Sequence, residues 1–223
     1  MVILFLFEVT RGNGPLAEHR QERAIRTREL VLRAAAEVFD EVGYLGASIT
    51  KILERAGVTA GAVYFHFRSK EGLARAVILE QAADLKFPEG AGGLQQLLDI
   101  TGYLAVEMQR NTLLRAGVRL AVEQGLVGRK EYSIYEWWAD RFHQDLLVAR
   151  QKGQLIDGVD EAVFAQLLVA AYTGTQVMSQ LSTGRADLPR RITDMWRCLL
   201  PALAPPDVIA GLRIPGADAD GMG

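Results

Sequence analysis

The sequence predicts an all-α protein of two unequal parts, a small N-terminal three-helix unit and a larger helical unit behind it. Three observations carry that expectation. Apolar residues recur at three- and four-residue steps along every long periodic stretch, the spacing of an amphipathic helix. No stretch shows sustained period-two alternation. Residues 48–70, SITKILERAGVTAGAVYFHFRSK, read as a short helix, a tight turn and a second short helix.

The first helical period starts near Glu22 and carries Ile25, Leu30, Val31, Ala34, Ala35, Val38, Phe39 and Val42. Gly43 is placed to end it. Ser48 is an N-cap candidate for a second helix reaching about Ala56, because its hydroxyl accepts from a free backbone N–H of the first turn. Gly57 supplies the turn, and Thr59 is the expected cap of a third helix over residues 60–67. Phe65 and Phe67 are its core candidates. Ser69 caps a fourth helix expected to run to about Lys86. Its stripe of Leu73, Ala76, Val77, Leu79 and Ala83 couples the two parts rather than merely joining them. Further helices are expected over residues 94–109, 113–123, 132–152, 159–181 and 188–200. The expected boundaries are an extension over 1–19, a head over 20–68, a helical unit over 69–203 and a tail over 204–223. The tail is rich in Pro, Gly and Asp and is expected to be poorly ordered.

Composition excludes more than it selects. With a formal net charge of −2, bulk charge does not announce a nucleic-acid binder. Locally, Arg20, Arg23, Arg26, Arg28 and Arg33 crowd the first long helix, either as a solvated face or as an arm along a phosphate backbone. Cys198 is the only cysteine, so no internal disulfide forms and a reducing cytoplasm fits. The VILFLF run at 2–7 is too short to span a bilayer and lacks signal-peptide flanks, and no membrane partner is expected. His19, His66 and His143 are isolated, and no HExxH, GxSxG or phosphate-loop motif is present. No catalytic residue, metal or cofactor is expected.

A helix–turn–helix lays its second helix in the major groove of double-stranded DNA while the first crosses the backbone. Thr59, Ala60 and Gly61 are small enough for close approach. Ser48, Thr50, Tyr64, His66 and Lys70 are the candidate donors to phosphates, with Arg26 from the first helix. His66 serves equally well as a packing residue.

Residues 24–72 resemble the DNA-binding domain of TetR-type repressors, through AAAEVFDEVGY (34–44), SITKILERAGV (48–58) and TAGAVYFHFRSKEGL (59–73). Within that superfamily the lead-in to residue 44 and VYFHF are most similar to γ-butyrolactone autoregulator receptors. LRAGVRLA (114–121), YEWW (135–138) and TGTQV (173–177) extend the likeness. The resemblance implies a homodimer bound to palindromic operator DNA and released by a small lactone- or furan-type inducer. A relative answering an antibiotic or other amphipathic compound is the alternative. It also implies pocket roles for Trp137 and Thr175. Leu104, Gln124 and Met178 complete the expected ligand contacts, with Tyr172 and Gln176 as further polar groups on apolar segments. The expected dimer face is Ala165, Leu168, Val169, Ala171, Tyr172, Thr175 and Leu199, although the pocket competes for some of these. One departure stands out: relatives commonly carry Lys between the Thr and the Gly of the reading helix, and this chain has Ala60.

Overall fold

The computed structural model describes residues 15–123 and 133–215. The VILFLF run, Gln124 and residues 216–223 lie outside the described residues. The elements are α1 (Pro15–Gly46), α2 (Ile49–Ala56), α3 (Ala60–Phe67), α4 (Lys70–Glu80), α5 (Leu94–Arg110), α6 (Thr112–Glu123), α7 (Ser133–Gln151), α8 (Glu161–Thr183), α9 (Leu188–Leu199), a 3-10 turn (Leu200–Ala202) and α10 (Pro206–Ala210). Among the described residues there is no strand.

Local chemistry sets the head's helix ends. Ser48 Oγ accepts from Lys51 N (3.2 Å) and Ser69 Oγ from Gly72 N (3.1 Å), satisfying first-turn donors. Gly57 closes α2 with its N–H on Leu53 O. Thr59 occupies the N-cap position of α3 but makes no side-chain cap bond, unlike the sequence expectation. Gly43 breaks α1 near the expected place. Its φ of 69° is the left-handed conformation that a side chain disfavours, and a Cβ there would meet Arg119 Nη2 at 2.7 Å. α1 begins at Pro15, so residues 15–19 belong to it rather than to a loose extension.

Two cores form. The head core gathers Val31, Phe39, Ile52, Val63, Phe67, Leu73 and Val77, and it continues into Leu113, Ala116 and Leu120 of α6. The sensor core is built by α5, α7, α8 and α9 around fully buried Trp196, whose Nε1 donates to Thr101 Oγ1 at 2.7 Å. Tyr135 and Trp138 of α7 pack against both cores. The head is therefore not separable at residue 68, because α6 of the larger unit completes it.

Two expectations fail for physical reasons. α4 ends at Glu80 rather than near Lys86. Residues 81–84 tighten into turns with Ala83 N on Glu80 O, while buried Gln81 donates back to Ile78 O (2.8 Å). The chain after Pro201 is ordered as far as residue 215. Leu203 and Ala204 are buried, Val208, Ile209 and Leu212 pack on the sensor core, and Arg213 exchanges backbone bonds with the Gln95 side chain. Composition suggested disorder there, but the apolar spacing gives that segment a core face.

The end of α4 lies tight on α6 at Gly117, where a Cβ would meet Gln81 Cβ at 2.4 Å and Val77 O at 3.0 Å. Gly117→Val should therefore overpack this crossing and cost about 1–3 kcal/mol. Thermal melting would show it as a Tm lower by roughly 2–4 °C for each kcal/mol, and an unchanged Tm would show that α4 yields freely here.

Candidate nucleic-acid interface and sensor cavity

The helix–turn–helix presents one outward face. Val63 and Phe67 bury the inner side of α3, while Thr59, Ala60, Gly61, Tyr64 and Phe65 are exposed. Phe65, expected in the core, is 78% exposed. Helical geometry explains the reversal: at about 100° per residue, position 65 falls opposite the midpoint of 63 and 67. Thr50 is exposed at the start of α2 beside half-buried Ser48, and Arg26 is exposed on α1.

One candidate donor, Lys70, sits differently from expectation, and His66 takes the packing position that was its alternative. Lys70 turns inward: its Nζ donates to Ala47 O (2.8 Å) and lies 4.3 Å from the centre of the Tyr44 ring. It braces the start of α2 from the start of α4. His66 is half-buried in a groove with Arg28, Arg68 and Arg75, and burial and then the charge of Arg28 lower its pKa. Arg68, exposed at the end of α3, is a cation on this surface that the sequence reading did not select.

The second site is a cavity at the seam of the two cores. Its cavity volume is ≈ 50 Å³. It is thus a narrow slot. Apolar groups dominate the lining, among them Leu104, Met108, Leu114, Trp138 and Phe142. A few polar groups converge on it, namely Gln81, Tyr172, Thr173 and Gln176. That mixture of apolar walls and sparse polar groups is the usual make-up of a small-molecule site.

Of the expected ligand contacts among the described residues, the structure brings Leu104 to this cavity and leaves Trp137, Thr175 and Met178 away from it. Trp137 points elsewhere and is 38% exposed, stacked edge-on to Trp138 at 4.7 Å between centroids. Its neighbour Trp138 lines the slot instead, as two adjacent helical positions must diverge by about 100°. Thr175 and Met178 lie in an open groove between α8 and α9, with Arg191 and Cys198. On α8 the inner side carries Ala165, Leu168 and Val169, all buried in the sensor core, so these expected dimer-face residues are not on the surface. The outward stripe is Val163, Leu167, Met178 and Leu181, each at least 49% exposed, with the small residues Ala170 and Gly174 between them.

Two polar atoms in the slot lack a protein partner among the described residues: Gln81 Oε1 and the Tyr172 hydroxyl. Burial pushes the Tyr172 pKa well above its ordinary value, so the hydroxyl keeps its proton and is a donor. Gln176 Oε1 accepts at 3.4 Å from both Nε and Nη2 of buried Arg185. Burial lowers the Arg185 pKa, while Asp40 opposes that shift.

A polar cluster joins this region to the head. Arg115 pairs with Asp40 of α1 at 2.7 Å, and Arg119 donates to Asp40 O (2.6 Å) and pairs with Glu123 (2.7 Å). Glu123 accepts from Tyr44 N (2.8 Å), and Tyr44 donates its hydroxyl to Glu71 of α4 (2.9 Å). At its other end α4 is tied to α1 by a forked Arg28–Glu80 pair.

A helix–turn–helix head whose core extends into α6 of a helical unit with an internal slot defines a ligand-responsive DNA-binding regulator. Comparison with known proteins gives the family. Residues 31–77 match the model for bacterial regulatory proteins of the tetR family, and residues 91–205 match a tetracyclin repressor-like C-terminal domain. The chain is 39% identical over 199 residues to the A-factor receptor protein of Streptomyces griseus, covering 88% of this chain and 71% of that one. It superposes on the TetR regulator TylP of Streptomyces fradiae with a TM-score of 0.78 at 39% identity, covering 89% and 96% of the two chains. A γ-butyrolactone receptor described as ArpA-like gives a TM-score of 0.67 at 31% identity over 85% of this chain and 94% of its own. The chain belongs to the TetR family of transcriptional regulators. It is a ligand-responsive repressor and not an enzyme. Among the described residues no helix is long and apolar enough to cross a membrane.

The unpartnered hydroxyl in the slot has a measurable cost. Tyr172→Phe removes a buried donor without changing the ring, and should raise the Tm of the ligand-free protein by a few degrees, for a gain of about 1 kcal/mol. A lower Tm would show that the hydroxyl is already well bonded.

Proposed function

We propose that this protein is a cytoplasmic homodimer that holds a palindromic operator and releases it when a small, mainly apolar, oxygenated molecule enters the slot beside Trp138. The observation that carries this reading is the position of Gln81. It ends the helix that starts at the reading head, and it exposes an unpartnered acceptor to the slot. The proposed ligand is of γ-butyrolactone, butenolide or furan type. Its carbonyl accepts from Tyr172, and a hydroxyl donates to Gln81 Oε1. The relatives that are A-factor and γ-butyrolactone receptors support that chemistry. The narrowness of the slot favours one ring with a short tail over a large aromatic drug. Genes of secondary metabolism are the proposed targets.

Release is proposed to be geometric. A ligand wider than the slot pushes α4 and α6 apart at Gln81, and α4 carries that displacement as a rigid rod of about 16 Å to Glu71 and Lys70. Those residues hold Tyr44 and Ala47 at the head. Paired heads must stand about one helical turn apart, ~34–36 Å, to enter successive major grooves, so a small tilt breaks register. Ser48, Thr50, Thr59 and Tyr64 are the proposed phosphate and groove-edge donors, with Arg26, Arg68 and His66 around them. A hundredfold loss of operator affinity requires the ligand to prefer the spread conformer by about 2.7 kcal/mol, and operator DNA must then weaken the ligand by the same factor.

The proposed dimer face is the outward stripe of α8 with the groove toward α9. An isologous contact brings each stripe against its copy, and Ala170 and Gly174 allow close approach at the crossing.

Two outcomes are expected. Trp138→Ala should abolish the response to a synthetic γ-butyrolactone in a gel-shift assay while ligand-free operator binding stays within about threefold. Trp137→Ala should leave the response largely intact, and the reverse pattern would move the ligand out of the slot. Separately, Met178→Glu places a charge in the proposed interface, so light scattering should report a monomer and operator affinity should collapse. A dimer that persists unchanged would place the interface elsewhere.

A further inference from the structure

The recognition helix leaves an unusual surface to the groove, and its chemistry identifies what it reads. No Lys, Arg, Asn or Gln lies between Thr59 and Phe67, so the bidentate side-chain pairs that distinguish guanine and adenine edges are absent from α3. What faces outward instead is a hydrocarbon ring. Phe65 is the most exposed aromatic side chain of the described residues at 78%, and its centroid lies 4.9 Å from that of His66 in an edge-on contact that props it from one side. One turn earlier, Gly61 adds no bulk. A Cβ there would touch only Thr59 Oγ1 at 3.9 Å, so nothing on the helix shields the ring from a close duplex.

An exposed phenyl ring of this size on a repressor surface is costly unless its partner covers it, and it shares the outward face of α3 with Thr59, Gly61 and Tyr64, the face proposed to enter the groove. In the major groove only one base carries an apolar feature: the C5-methyl group of thymine. We infer that Phe65 is a specificity-determining residue that reads a thymine methyl in each half-site, so that this repressor selects one base of its operator by hydrocarbon contact rather than by a hydrogen bond. The inference rests on the DNA-reading role of α3 and adds the base that it recognises. The bare position at Ala60 belongs to the same design. With no cation beside the ring, no polar contact competes for the methyl-bearing edge.

The test separates methyl recognition from other uses of the ring. The full-length dimer is first used to select its preferred duplex from a randomised pool. Each thymine of the selected half-site is then replaced in turn by deoxyuridine, which removes the methyl alone and leaves base pairing intact. At one thymine per half-site the wild-type protein should lose affinity by about fourfold, the worth of one buried methyl, and by about sixteenfold when both half-sites are replaced. Phe65→Ala should bind the thymine and uracil duplexes equally, and Phe65→Leu should restore part of the difference. Because the ring is exposed, both variants should keep the wild-type Tm. Wild-type binding that ignores every thymine-to-uracil change overturns the inference, as does discrimination that survives in Phe65→Ala. A Phe65→Ala variant that weakens both duplexes alike overturns it too, and assigns the ring to the sugar–phosphate edge. Failure to select any duplex would remove the DNA-reading premise itself, a distinguishable result.

Discussion

The structure depends on one packing constraint: α6 belongs to two cores at once. Its Leu113, Ala116 and Leu120 complete the head, and its Leu114 closes the sensor core. Gly117 lets it lie directly on α4, and Arg115, Arg119 and Glu123 along it hold the end of α1. A helix so committed cannot shift on its sensor side without shifting on its head side. Interiors packed to crystal-like density respond by moving whole elements rather than by deforming locally. The coupling of sensing to DNA reading therefore needs no special relay beyond this shared helix and its contact with α4.

The slot is placed where that constraint is weakest. Tyr135 and Trp138 fill the seam between the cores, and beside them the packing leaves a narrow space with two polar atoms unpartnered. Each such group opposes folding of the empty protein by about 1–3 kcal/mol. A site that keeps this cost is a site whose occupant recovers it. The same trade of stability for recognition holds at the other end of the molecule, where Phe65 is left in water.

Much of the head was legible in the sequence because its signals are local. Ser48, Gly57 and Ser69 each act on backbone groups within a few residues, so spacing alone located α2, α3 and the start of α4. The sensor's helices were legible too, from period alone. Their facing was not. Trp137 and Trp138 differ by one helical step, and only the docking of α7 against α8 and α5 decides which of them enters the slot. α8 is apolar on two sides, so its periodicity yields two stripes, Ala165–Leu168–Val169 and Val163–Leu167–Met178, without saying which is buried. Phe65 misled for a related reason: an aromatic residue is usually a core residue, and the pair Val63 and Phe67 overrules that only when α3 is seen against α1. Arg185 and Gln81 gave no sequence signal, because a buried Arg at a helix junction and a Gln at a helix end look like surface residues until the fold encloses them.

Electrostatics adds a second line between slot and head, and its sign follows from burial. Arg185 is enclosed in the turn between α8 and α9, where losing hydration disfavours its charge. Its guanidinium donates two long hydrogen bonds to Gln176 Oε1, while the Asp40 carboxylate favours its charge and Arg115 and Arg119 oppose it. Gln176 also lines the slot. A ligand that draws the Gln176 amide toward itself removes acceptor density from a buried cation. The cation must then lean more heavily on Asp40, the residue that Arg115 and Arg119 use to hold the end of α1. Competition between Arg185 and Arg115 for the Asp40 carboxylate loosens the grip of α6 on α1 beside Gly43 and Tyr44. Steric pressure from Gln81 on Gly117 and electrostatic release at Asp40 thus act on the same stretch of α6, between Arg115 and Arg119.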